Sequence, residues 1–190
     1  MAIIAQTVDL RNYVQVFQNL LHKDTCNEVI KWAEQQPEAT SAWDGWEIAK
    51  AAISNTENKV TDHRTCHFTM MNEHRGPCVK NLQTALLHIQ KHYPYHHNAT
   101  EHTGLQIMSY QAGHKFKEHI DHYGGAARIL SVSILLNDDF EGGEFALWNR
   151  TYKPLLQQGD AVVFPSNLCF PHEVIPVTQG IRYALVVWML

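Results

Sequence analysis

The chain is short of every feature that would place it in a membrane, in a disulfide scaffold or on nucleic acid. Its four cysteines, Cys26, Cys66, Cys78 and Cys169, are widely spread and form no C-x-x-C pair. We read them as reduced thiols of a cytoplasmic, intracellular chain, because structural disulfides are rare there. No apolar run approaches the roughly 20 residues that cross a bilayer. The N-terminus lacks a basic start followed by an apolar block, which argues against a secretory signal. Basic residues number 15 against 19 acidic ones, a net charge of -4. That balance offers no electrostatic reason for nucleic-acid binding. Repeats, low-complexity tracts and linkers are also missing, so the 190 residues read as one domain. We expect residues 1–102 to supply helical support and outer strands, and 103–190 the core that carries the site.

What is present divides into two patterns. In the first half, Thr25-Cys-Asn-Glu28 has the form of a capping box, and Pro37 closes the helix that follows. Gly76-Pro77 opens a second helix. Its apolar residues Val79, Leu82, Leu86, Ile89 and Tyr93 share one face, and Pro94 stops it. Between them, 41–57 carries Trp43 and Trp46 and reads as a hairpin or a loop, with a lid over substrate and ordinary packing as competing roles. From Thr103 onward short strands alternate with turns: 105–110, 115–122, 128–136, 143–149, 160–164, 172–177 and 181–189. Gly124-Gly125, Asn137-Asp138-Asp139, Gly142-Gly143, Gly159-Asp160 and Gln179-Gly180 mark turns between them. The fold class is therefore α+β, mainly β: a double-sheet jelly roll with helices against one outer face.

The chemistry concentrates in His119, Asp121, His172 and Arg182. His-x-Asp alone carries little weight, since 13 His give roughly 0.5 such pairs by chance. A second copy at His22-Lys23-Asp24 is explained by a carboxylate at a helix start. His119-Ile120-Asp121 differs because it falls in strand territory, where residues two apart share a face and Ile120 turns the other way into packing. Two imidazoles and a carboxylate can take one face of an Fe(II) octahedron and leave three positions open. A guanidinium nearby can grip a carboxylate through two hydrogen bonds. On the last strand Arg182, Ala184, Val186 and Trp188 share a face, so the ligands, the arginine and Trp188 should converge. Taken singly, each histidine is more simply an ordinary surface or core residue; the set is not.

Three segments extend the pattern. They are Leu105-Gln-Ile-Met-Ser-Tyr110-Gln-Ala-Gly113-His-Lys-Phe116-Lys-Glu-His119-Ile-Asp121, then Ser131-Val-Ser-Ile-Leu-Leu-Asn137 through Gly142-Gly143-Glu144-Phe145, and Gly159 through Trp188. Together they resemble the iron motif and closing strands of prolyl 4-hydroxylases, and bacterial and phage members more than animal ones. The resemblance covers nearly half of the chain and implies a double-stranded β-helix. It also implies an activity: a dioxygenase that hydroxylates prolyl residues of a peptide or protein while 2-oxoglutarate is decarboxylated to succinate. In that scheme His119, Asp121 and His172 bind Fe(II), and Arg182 binds 2-oxoglutarate. Tyr110, Ser131 and Trp188 line its pocket, O2 is consumed, and ascorbate is a candidate accessory. Ser131 and Leu135 depart from a threonine and a tyrosine common in the family; serine can keep one hydrogen bond and leucine cannot. The same chemistry on a free amino acid or other side chain is an alternative, as is a non-catalytic metal-binding jelly roll.

Secondary candidates each have a plainer reading beside them. Arg128 and Trp148, with Arg150, read either as substrate contacts or as strand-edge residues with surface salt bridges. His88, His92 and His96 suggest a metal face, but Pro94 breaks the helix first, which favours a solvated face. Cys66, His67 and Cys78 lack a fourth zinc ligand at a suitable spacing and are more simply part of the packing.

Overall fold

Alternating patterns and turn residues build strands here, and the apolar helix faces cover one side of them. The computed structural model describes residues 8–38, 47–48, 51–54, 57–59, 62–71, 76–95, 99–122 and 127–190. Trp43, Trp46, His96 and the Gly124-Gly125 turn lie outside the described residues. A first short strand, β1 (Gln15–Phe17), follows a 3-10 turn at Leu10–Tyr13 and precedes helix α1 (Lys23–Glu34). Short strands β2 (Glu47–Ile48), β3 (Ala51–Ser54), β4 (Glu57–Lys59) and β5 (His67–Met71) lead to helix α2 (Val79–His92). Then come β6 (Leu105–Gln111), β7 (Phe116–His119), β8 (Leu130–Leu135), β9 (Glu141–Gly142), β10 (Phe145–Leu147), β11 (Ala161–Pro165), β12 (His172–Val174), β13 (Val177–Gln179) and β14 (Ile181–Met189).

A seven-stranded sheet runs β1-β11-β8-β14-β6-β5-β2, and a three-stranded sheet runs β10-β12-β7 opposite it. All the pairings are antiparallel. The small sheet gains a further extended segment on the edge of β7: the Thr65 amide donates to Lys115 O and the Lys117 amide to His63 O. Strand parity sorts β14 between two cores. Tyr183, Leu185, Val187 and Met189 face the helices together with Leu82, Leu86 and Ile89 of α2. Ala184 faces the small sheet with Phe145, Leu147 and Val174. Burying each large aliphatic side chain of the helix face contributes about 2 kcal/mol. The jelly-roll expectation, with helices on one outer face, is therefore met.

Four local expectations need correction. The cap of α1 is His22, whose Nδ1 accepts from the Asp24 amide at 3.3 Å. Thr25 is buried inside the first turn, and its hydroxyl accepts from Asn81 at 3.0 Å, so it joins the two helices rather than capping one. Strand 115–122 stops at His119, leaving Asp121 beyond it. Ile120, expected to pack inward, is 37% exposed. Strand 172–177 breaks at Ile175-Pro176 into β12 and β13, because proline cannot donate to a ladder.

Candidate active site

The register of the small sheet sets the two histidines side by side. His172 pairs with His119 across β12 and β7, and with Leu147 on its other side. Aromatic rings fix both imidazoles. Phe116 stacks on His119 with ring centroids 3.5 Å apart, and Phe164 meets His172 edge-on at 4.7 Å. Each ring also has its Nδ1 against a backbone carbonyl: Lys117 O at 2.9 Å for His119, Phe170 O at 3.1 Å for His172. A carbonyl only accepts, so Nδ1 carries the proton and Nε2 is left as the coordinating nitrogen. Both Nε2 atoms face Asp121, at 3.6 Å from Oδ1 and 3.5 Å from Oδ2. These three donors lie within 4.8 Å of one another, the one such cluster of ligand-type side chains among the described residues.

The electrostatics suit a cation. Burial alone would raise the Asp121 carboxyl, but His172, His119 and the Ser131 hydroxyl facing it hold it well below the usual carboxylate range. Burial pushes His172 down to about 4 against the pull of Asp121. A deprotonated carboxylate beside the neutral His172 imidazole suits a metal, which binds deprotonated ligands. Two histidines and one carboxylate match the donor set of non-haem Fe(II), with positions left for other ligands.

A second charge lies in the same cavity. Arg182, 2% exposed, stands opposite Tyr110 in the β14–β6 register, with its guanidinium carbon 5.4 Å from the Tyr110 ring centre. Among the described residues its Nε has no hydrogen-bond partner and no carboxylate pairs with it. An unpaired buried cation is costly, so this arginine fits an anionic ligand. The Gly142-Gly143 turn makes room for it. Gly143, at φ +67, would carry a Cβ 3.1 Å from Arg182 Cδ, and Gly142, at φ +70, one 2.5 Å from Pro176 O. Glycine alone adopts both conformations without strain. Tyr110 is fully enclosed, and burial drives its hydroxyl well above its ordinary range, so it stays neutral. The cavity joins Arg182 and Tyr110 to His119, Asp121 and His172, and Trp188 also lines it.

Other candidates fall elsewhere. Ser131 donates to Asp121 Oδ2 at 2.6 Å, so its single proton serves the carboxylate and not a co-substrate. Leu135 is buried on the same face of β8 as Ser131, paired with Ala184, but does not line the cavity. Arg128 covers the Trp188 ring at 3.7 Å and donates to Asp121 O at 3.2 Å, beside the site. Trp148 sits in a left-handed turn after β10, its indole N–H bonded to Cys169 O at 2.7 Å and its ring packed near Phe170. It does not line the cavity, and Arg150 pairs with Glu173 at 2.8 Å. His88 and His92 stack on each other at an exposed helix face. Cys66 lies against Tyr110 while Cys78 bonds Glu28, so no zinc set forms with His67 among the described residues. Phe116, Arg64 and Ser166 went unread in the sequence as site residues. Phe116 could have been found from its place three residues before His119, on the edge of the same strand. Arg64, whose guanidinium lies 4.6 Å over Phe116, carries no comparable signal.

Residues 105–190 match the model of the family described as the 2OG-Fe(II) oxygenase superfamily. Donor set and this match over the site-bearing segment define the class: a 2-oxoglutarate-dependent Fe(II) dioxygenase. A putative prolyl 4-hydroxylase of Acanthamoeba polyphaga mimivirus is 26% identical over 195 residues, spanning 91% of this chain and 72% of its own. A PKHD-type hydroxylase of Paraburkholderia xenovorans is 34% identical over 95 residues, 42% of this chain and 39% of its own. Among solved structures, the prolyl hydroxylase of Trichoplax adhaerens, in complex with a hypoxia inducible factor peptide fragment, shares the fold. Its TM-score is 0.71 at 19% identity, covering 94% of this chain and 84% of that one. No helix among the described residues is long and apolar enough to cross a membrane.

Proposed function

We propose that this chain hydroxylates prolyl residues in a peptide or protein, with 2-oxoglutarate as co-substrate. The observation that carries the chemistry is one cavity holding a two-histidine, one-carboxylate cluster and a buried arginine that no carboxylate among the described residues pairs with. The named relatives support the prolyl substrate. His119, Asp121 and His172 would hold Fe(II). When bound with 2-oxoglutarate and O2, that iron supplies the oxidising power that inserts one oxygen atom into a C–H bond as succinate and CO2 form. The chain's own residues do the rest. Arg182 binds the distal carboxylate, Tyr110 flanks it with a neutral hydroxyl, and Trp188 walls the metal side of the cavity. Aromatic and aliphatic lining excludes water. We take the whole chain as one domain, supported by β1 and β5 completing the sheet that carries Arg182.

Proline-containing peptides incubated with the Fe(II)-loaded protein, 2-oxoglutarate and ascorbate should gain one oxygen atom at proline, seen by mass spectrometry. Oxygen gain on a free amino acid and on no peptide would overturn the substrate assignment and leave the cofactors standing.

A further inference from the structure

His119 and His172 are held by strand pairing, but Asp121 is not, because β7 ends at His119. What holds it lies across the chain. The Asp121 backbone carbonyl accepts from Arg128 Nη1, and the next residue, His122, donates its amide to Ser166 O at 2.9 Å. Ser166 is 1% exposed and its own amide donates to Ile129 O at 3.0 Å. Its hydroxyl lies 2.8 Å from Ser131 Oγ, which lies 2.6 Å from Asp121 Oδ2. Ser131 has one proton and the ionised carboxylate only accepts. The direction of the relay follows: Ser166 donates to Ser131, and Ser131 donates to Asp121.

We propose that Ser166 is a positioning residue for the metal centre, orienting the Asp121 carboxylate through Ser131 where strand pairing has run out. This rests on the reading that His119, Asp121 and His172 hold the metal. A carboxylate beyond a strand end can rotate about its Cβ–Cγ bond; the relay fixes Oδ2 and so fixes the face turned to the two Nε2 atoms. Such partners one step behind a ligand set its orientation and its affinity for metal. The Ser166 backbone clamps survive in Ser166→Ala, so that substitution removes the hydroxyl alone.

Titration with Co(II), followed by its visible d–d absorption, tests this on the full chain without turnover. In Ser166→Ala the Kd for Co(II) should rise roughly tenfold to a hundredfold, with an altered d–d spectrum. Ser131→Ala should lose at least as much. Adding Ser166→Ala to Ser131→Ala should then change nothing further, because coupled members of one network are not additive. Wild-type Kd and spectrum in Ser166→Ala, or full additivity of the two losses, would overturn the proposal while leaving the metal centre intact. Failure of the wild-type chain to bind Co(II) would overturn the metal centre itself and the relay with it. Should Ser166→Ala not fold, Ser131→Ala removes the same relay from its other end, and unchanged binding there decides against it.

Discussion

At the scale of single residues, burial and neighbouring charges set the protonation states of Asp121, His172 and Tyr110. His172 shows this most directly. Burial sets it at about 4 in the folded chain, against about 6.5 when unfolded. As pH falls between those values the unfolded chain takes up the proton first, so stability is present above about 6.5 and is lost toward 4. Asp121 acts in the same sense further down, since a depressed carboxylate contributes above its unfolded value and loses that contribution as pH drops. The metal-free protein should therefore lose about 2 kcal/mol between pH 7 and pH 5 through His172 alone. Urea unfolding at the two pH values, compared with His172→Gln, checks this. An equal loss in the variant would contradict the burial argument. The metal ligands and Arg182 were legible as residues because their types and spacing are chemically restrictive. Ser131 was read, from the resemblance, as a residue of the 2-oxoglutarate pocket; its bonds to Asp121 and to Ser166, 35 positions away, were not, because periodicity does not record such bonds.

At the scale of elements, the apolar stripe of α2 reads off the sequence and lands where it should. Leu82, Leu86, Ile89 and Tyr93 are all buried in the core between helices and large sheet. The faces of β14 also followed from alternation. Ends were less legible. A capping box at Thr25 was locally plausible, yet tertiary contact with Asn81 claimed that hydroxyl and His22 took the cap. The break at Pro176 was visible as a proline, but its use is tertiary, because its carbonyl accepts from the Gly143 amide at the turn that makes room for Arg182. Because α2 lies across the large sheet from the cavity, its packing and the site should be separable. Ile89→Ala should cost about 2–5 kcal/mol of stability and leave Co(II) affinity of the folded protein unchanged. Urea unfolding alongside Co(II) titration tests both halves; a loss under about 1 kcal/mol would mean that the helix face is not closely packed.

Across the whole molecule, two sheets bring together groups more than sixty residues apart and leave a buried positive charge beside the proposed metal-binding face. Strand alternation and turn residues predicted the jelly roll. Outer strands were expected from residues 1–102, but not that β1 and β5 would be the ones beside the strands that carry the site, since edge pairing depends on register across long separations. The central claim is that Arg182 receives a dicarboxylate which reaches the metal cluster through the same cavity. Anaerobic titration of the Fe(II)-loaded protein with 2-oxoglutarate, followed by visible absorption, tests it in wild type and Arg182→Ala. Wild type should bind saturably and the variant should need about a hundredfold more, as expected for removing one partner of a buried charge pair, with Fe(II) binding retained. Equal 2-oxoglutarate affinity in the two proteins would contradict it.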